Sequence, residues 1–251
     1  MKKYLKTYLY NRPLFYVFLR PKELKLFHLE FPFKKPVLDF GCGDGFFAKA
    51  LIGRKRIDVG VDIDKKALSC AEGSGIYKQV VLFNGHKLPF NRDYFSVVVS
   101  NCVMEHVIKL QPTLKEIQRV MKSGGKFYLS VMTDKWNDYL IGGRLMGGRY
   151  LKWMKKIQRH PNLLSEFQWE KEFEKAGFKV LEKYGYLDRK TSRLIEIFHY
   201  LSIGSLITYK LFGKWVVFPG RFKLIEKYVG TKLKKVKTSD AAAIFFTLKK
   251  I

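Results

Sequence analysis

The run Val37-Leu38-Asp39-Phe40-Gly41-Cys42-Gly43-Asp44-Gly45-Phe46 reads as a short strand that ends in glycines and passes at once into a helix. Glycines at 41, 43 and 45 let the backbone turn sharply and let a ligand come close to the main chain. The pattern alone marks a nucleotide-type site without naming the ligand. Phe46 stands where a dinucleotide fingerprint has its third glycine. Asp39, two residues before Gly41, would repel a pyrophosphate but suits a ligand carrying an ammonium group.

Working outward, β-branched runs alternate with amphipathic stretches, the pattern of βαβ units. Strands are predicted at Val37–Phe40, Ile57–Asp62, Tyr77–Phe83, Phe95–Ser100 and Lys126–Met132, with helices near Phe46–Ile52, Lys65–Ala71 and Pro112–Met121. Pro112 in a first turn and Gly124-Gly125 beyond the end supply start and stop signals for the third helix. Parallel strands joined by right-handed crossovers give an α/β, doubly wound sheet with its ligand at the carboxyl ends of the strands. Two more strands are predicted at Phe178–Tyr186 and Ala241–Lys249. The chain divides accordingly into an N-terminal helical cap segment (1–36), a ligand-binding core (37–132), an insertion or cap (133–177) and C-terminal strands (178–251) interrupted by a long insertion (187–240).

The second predicted strand ends in Val59-Gly60-Val61-Asp62-Ile63-Asp64, with Asp62 placed 17 residues after Gly45. An acidic side chain at that tip accepts both hydroxyls of a ribose. This identifies an adenosine-type ligand and leaves a nicotinamide cofactor open.

Taken together, VLDFGCGDG (37–45), VGVDID (59–64), LFNGHKLPF (82–90), FSVVVSNCVMEHV (95–107) and LKEIQRVMKSGGKFYLSV (114–131) resemble the class I methyltransferases that use S-adenosylmethionine (SAM), and more closely the type 11 methyltransferase family. The resemblance implies a Rossmann-like, mostly parallel seven-stranded sheet with an antiparallel C-terminal strand, and helical insertions forming a cap. It implies that Asp39 and the loop Gly41, Cys42, Gly43 and Gly45 face the methionine part of SAM. Asp62 would hold the ribose and Ile63 would pack on the adenine. Asn84 falls where the family usually has an aspartate contacting the adenine amino group, and an amide oxygen can accept the same bond. Asn101 would lie beside the substrate opening.

Methyl transfer from a sulfonium needs the nucleophile and methyl brought in line, so a sequence can lack an obvious catalytic residue. An oxygen nucleophile profits from a base working near neutral pH, for which His106 and His160 are candidates, with His86 and Glu105 behind them. Ser100-Asn101-Cys102-Val103 differs from the proline-rich pattern of many enzymes that methylate base amino groups. No Pro-Cys pair points to a cytosine nucleophile, and no ligand cluster points to a metal. The expected function is therefore methyl transfer from SAM to a small-molecule, glycan or lipid-linked acceptor. The alternatives are an RNA methyltransferase and a non-catalytic SAM-binding adaptor. Nucleic acid is not the expected partner, because no RNA-binding module accompanies the core.

The 251 residues carry 48 Lys and Arg against 22 Asp and Glu, a net charge of +26. Residues 1–36 hold +7, 37–132 hold +5 and 133–251 hold +14. A field of this sign favours anionic partners. Leu194 to Phe218 is rich in aliphatic and aromatic residues, but its uncharged run, Ile197–Tyr209, is shorter than the roughly 20 residues of a spanning helix. It fits a buried helix, a dimer surface or a segment lying in a membrane interface, the last supported by flanking Arg189, Lys190, Arg193, Lys210, Lys214, Arg221 and Lys223. Leu14–Leu19 is too short for a signal peptide. Three scattered cysteines suit a reduced, cytoplasmic setting, with contact at the inner face of the membrane as the extension of the interfacial reading.

Overall fold

The computed structural model describes residues 1–217 and 233–251. Phe218, Arg221 and Lys223, part of the predicted interfacial stretch, lie outside the described residues. Seven strands form one sheet: β1 (Val37–Phe40), β2 (Ile57–Asp62), β3 (Tyr77–Leu82), β4 (Phe95–Asn101), β5 (Met121–Met132), β6 (Phe178–Gly185) and β7 (Ala243–Lys250), in the order β3-β2-β1-β4-β5-β7-β6. Only β7 runs against the rest, between β5 and β6. The seven-stranded, mostly parallel sheet with an antiparallel C-terminal strand is thus the architecture found.

Strands β1 and β4 are buried on both faces because helices cover each side. Helices α3 (Phe46–Ile52) and α4 (Lys65–Gly73) make the crossovers that carry the chain outward to β3; α5 (Leu110–Val120) carries it the other way, from β4 to β5. Strand order therefore reverses between β1 and β4, which opens a crevice at their carboxyl ends. Alternate side chains feed two cores. Val37, Val97, Val99 and Phe245 join the layer under α3 and α4, and Leu38, Val98, Phe127 and Phe246 join the layer under α5. The N-terminal helices α1 (Lys2–Asn11) and α2 (Arg20–Leu29), linked by a 3₁₀ turn at Leu14–Phe18, pack onto the first layer.

The end of α5 departs from expectation. The helix runs Leu110–Val120, and β5 starts directly at Met121 instead of Lys126. Met121 pairs with Phe95 and Lys126 with Val97, so residues 122–125 form a bulge in the strand. Gly124 takes φ 72° there, and a Cβ on Gly125 would stand 2.8 Å from the Lys122 carbonyl oxygen. The glycine pair shapes a bulge instead of stopping a helix.

The stretch after β5 holds α6 (Lys135–Tyr139), α7 (Ile141–Gln158) and α8 (Glu166–Lys175). Helix α8 begins in a capping box, Ser165 with Gln168. It buries Trp169 and Phe173 completely in the second core layer. The second half of the 133–177 stretch is thus a sheet-covering helix. The later insertion holds α9 (Arg189–Leu201) and α10 (Ile203–Phe212). Among the described residues, no helix is long and apolar enough to cross a membrane.

Phe246 is fully buried and its ring meets that of Phe173 at 5.2 Å. Phe246→Ala is expected to lower unfolding free energy by about 3–5 kcal/mol, because the cavity left behind collapses only in part. Chemical denaturation followed by circular dichroism measures this.

Candidate active site

The loop after β1 crosses the end of β2. Gly41 and Cys42 donate their N–H groups to the Val61 carbonyl at 2.8 and 2.9 Å. Gly41, Gly43 and Gly45 all sit at positive φ. At Gly41 the need is also spatial: a Cβ would stand 2.3 Å from the side chain of Val103, in the segment after β4. A larger residue would wedge the two segments apart.

Asp62 closes β2 with its carboxylate held from two sides. Oδ2 accepts from Gly43 N–H at 2.8 Å and Oδ1 from Asp64 N–H at 3.0 Å. Asp64 caps α4 through Lys66 and Ala67. Each Asp62 oxygen keeps a lone pair free, so the pinned carboxylate can still accept two ligand hydroxyls.

A cavity of about 580 Å³ opens between these loops, within the range of small-molecule sites. Of the predicted residues, Gly41, Asp62, Ile63 and Asn101 line it, as do the candidate bases His106 and His86. A second depression, about 660 Å³ between α5 and α8, contains none of these groups.

The other predicted residues stand behind or beside that wall. Asp39 is buried under the loop and accepts the Tyr77 hydroxyl at 2.6 Å. Burial pushes its pKa up to about 7, opposed by the Tyr77 hydrogen bond and assisted by the nearby Asp62 charge. Cys42 is buried and its thiol is pushed up, first by burial and then by Asp39 and Asp62. It is therefore no nucleophile. Asp44, between the glycines, binds Arg12 of the chain's first turn region at 2.5 Å, and the same guanidinium lies 4.0 Å over the Phe46 ring. Asn84 turns its amide oxygen to the N–H groups of His86 and Lys87, at 3.0 and 3.3 Å. The oxygen expected to meet an adenine amino group is occupied with its own turn, while its neighbours Phe83 and Gly85 reach the cavity.

Asn101 is fixed by a network absent from the sequence reading. Its Nδ2 donates to Glu23 at 2.9 Å and its Oδ1 accepts from Ser130 at 2.5 Å. Glu23, in α2, is fully buried and also takes Arg20 at 2.7 Å, the Tyr186 hydroxyl at 2.9 Å and the Cys102 thiol at 3.2 Å. Arg20 itself lines the cavity. The one available signal was that residues 1–36 contain only two acids, Glu23 and Glu30.

The two candidate histidines come together, with ring centroids 4.7 Å apart. His106 faces the cavity while buried His160 lies outside its lining. Nδ1 of His106 lies 2.9 Å from the carbonyl oxygen of Arg159. A carbonyl only accepts, so Nδ1 carries the proton and Nε2 keeps its lone pair. Burial lowers the His106 pKa, with the Arg159 carbonyl opposing and the Arg20 charge assisting. His160 falls to about 3 through burial and the neighbouring His106. Asn162, two residues beyond His160, clamps the turn Met104–His106. Its N–H donates to the Glu105 carbonyl at 3.1 Å, and its Nδ2 to the Met104 and Val107 carbonyls at 3.1 and 2.5 Å. The fully buried Glu105 carboxyl is pushed up to about 8, chiefly by burial.

A glycine loop crossing the first two strands, a pinned carboxylate at the tip of β2 and a cavity at the reversal of strand order make an adenosine-type ligand site, and comparison with known proteins gives the family. The family model described as "Methyltransferase domain" matches residues 10–183, and the chain belongs to that family. The uncharacterized protein MJ1123 of Methanocaldococcus jannaschii is 30% identical over 145 residues, 58% of this chain and 65% of that protein. A ubiquinone biosynthesis O-methyltransferase of Coxiella burnetii is 26% identical over 138 residues, 53% of this chain and 58% of that one. The chain therefore spans less than two thirds of the length of these curated relatives. A SAM-dependent methyltransferase of Thermotoga maritima, described as a possible histamine N-methyltransferase, shares the fold with TM-score 0.63 and 17% identity, covering 95% of this chain and 92% of that one. A geranyl diphosphate methyltransferase in complex with SAM does so with TM-score 0.57 and 11% identity, covering 92% and 85%.

The residues present fit SAM: bare backbone at Gly41, a doubly pinned Asp62 for ribose hydroxyls and an apolar wall of Ile63 and Phe83. Asp62→Ala removes two charge-assisted hydrogen bonds, each worth about 1.5–3 kcal/mol. A loss of SAM affinity of at least about 100-fold is expected by calorimetric titration, with the circular dichroism spectrum unchanged.

Proposed function

We propose that this enzyme transfers the methyl group of SAM to a hydroxyl oxygen of a small or lipid-linked acceptor, with His106 as the general base. The observation that carries the reading is the fixed tautomer of His106 at the cavity wall, its Nδ1–H on the Arg159 carbonyl. Bound SAM supplies an electrophilic methyl on a sulfonium whose leaving group is a neutral thioether. Asp62 and the Gly41 loop hold the donor in place, and Val103, Val107 and Ile108 offer an apolar wall to the acceptor. Nε2 of His106 takes the hydroxyl proton as the oxygen–carbon bond forms and the sulfur–carbon bond breaks, its electron pair remaining on sulfur. Asn162 keeps the turn bearing His106 in register with the cavity. The relatives named for O-methylation support an oxygen acceptor.

The test is transfer of tritiated methyl from SAM to phenolic, sugar and polyprenyl-linked hydroxyl acceptors. Ether-linked label is expected, and label found only on nitrogen or carbon contradicts the proposal. His106→Gln is expected to lower kcat by about 10²–10⁴-fold, the usual contribution of a general base, while the SAM Kd stays unchanged.

The pH profile follows from the lowered pKa. The base works when neutral, so kcat is flat at neutral pH and falls as pH drops through a value below the ordinary histidine 6.5. Asn162→Ala frees the turn without touching the cavity. It is expected to reduce kcat roughly 10-fold or more through misplacement of the base, with no change in SAM Kd.

A further inference from the structure

Helices α7, α9 and α10 carry nine Lys and Arg and a single acid, Glu196. The whole chain has 48 against 22, so this region is far more one-sided than the average. Glu196 does not soften the field outside. It is buried and accepts from the N–H groups of Ile141 and Gly142 and from the Tyr150 hydroxyl. The charge shown to solvent by these helices is wholly positive.

Apolar side chains stand exposed among these cations. Helix α10 buries none of its ten residues, and Leu211 is 70% exposed. Helix α7 is broken at Gly147, with φ 67° and ψ −153°, and doubles back so that Gly142 and Gly143 lie against Tyr150 and Leu151. The tip of this fold-back presents Arg144, Leu145, Met146 and Arg149 to solvent. Leu145 is 77% exposed. The three helices are tied together, since the Tyr150 hydroxyl meets that of Tyr200 at 2.5 Å and α10 follows α9 through Ser202.

We propose that α7, α9 and α10 form a docking surface for a bilayer containing anionic phospholipids, into whose headgroup layer the α7 tip and α10 insert. Exposed aliphatic side chains enter the acyl boundary while lysine and arginine stems reach back to phosphate. Trp153, and Tyr209 stacked on Trp215 at 4.2 Å, supply the amphipathic rings that favour that depth. A second copy of the chain is a poorer occupant, because a two-fold contact would set one positive surface against another. A nucleic acid would satisfy the charge but leave Leu145, Leu206, Ile207 and Leu211 in water.

Two contacts link the surface to residues of the cavity wall. The Arg159 carbonyl, just past α7, holds His106. Helix α9 packs its Phe198 and His199 on Phe18 and Phe15, both at 4.9 Å, in the turn that leads to Arg20 at the cavity. The surface stands independently of the His106 chemistry.

The experiment is co-sedimentation of the full chain with vesicles of phosphatidylcholine alone and of phosphatidylcholine mixed with phosphatidylglycerol. Binding is expected to the mixed vesicles only, weakening as salt is raised. At about fivefold per basic residue, Lys152→Ala with Lys155→Ala is expected to weaken it about 30-fold. Leu206→Ser with Ile207→Ser is expected to abolish insertion, read as loss of binding to the mixed vesicles even at low salt, with the thermal midpoint of both variants unchanged. Equal binding to neutral vesicles, no binding to either, or binding untouched by both variants would overturn the proposal. So would a solution dimer that Leu206→Ser with Ile207→Ser dissociates, or RNA binding in place of vesicle binding.

Discussion

How closely the loop after β1 approaches the segment after β4 governs the ligand end of this molecule. At Gly41 no side chain fits, because a Cβ would lie 2.3 Å from Val103. This contact lets two loops from neighbouring parallel strands face one cavity where the strand order reverses. Asp62 and His106 both line that cavity. The donor site and the proposed base are therefore products of the same steric constraint.

Polar groups buried around that cavity are satisfied by elements far apart in the chain. An isolated buried carboxylate costs several kcal/mol. Glu23 meets donors from α2, β4, the following turn and the end of β6, which makes the N-terminal helices part of the site. Arg12 fastens the same segment to the glycine loop through Asp44. Asn162 does for the turn bearing His106 what Glu23 does for Asn101, supplying from elsewhere the bonds that local structure leaves open. Helices and turns outside the sheet hold the cavity wall as much as the strands do.

The sheet was legible because its signals are local. Runs such as Val97-Val98-Val99 have no polar face, glycines mark the turn after β1, and an acid at the end of β2 has few other uses. What escaped depends on tertiary contact. Gly124-Gly125 look like a helix stop and instead shape a bulge whose register is set by Phe95 and Val97. Nothing in the sequence couples Glu23 to Asn101, 78 positions away, or Asn162 to Met104. Asn84 fits the adenine role by position, yet its oxygen is engaged by the next two amides. Position in a motif identifies a neighbourhood, while hydrogen bonding decides what each side chain there is free to do.

Hydrogen–deuterium exchange of the full chain with and without SAM tests the location of the donor site most directly. Slowed exchange is predicted in the loop 41–46, at 62–67, in the turn 83–87 and in the segment 101–107, with β6 and α8 unchanged. Protection confined to other segments, or none at saturating SAM, would contradict this account.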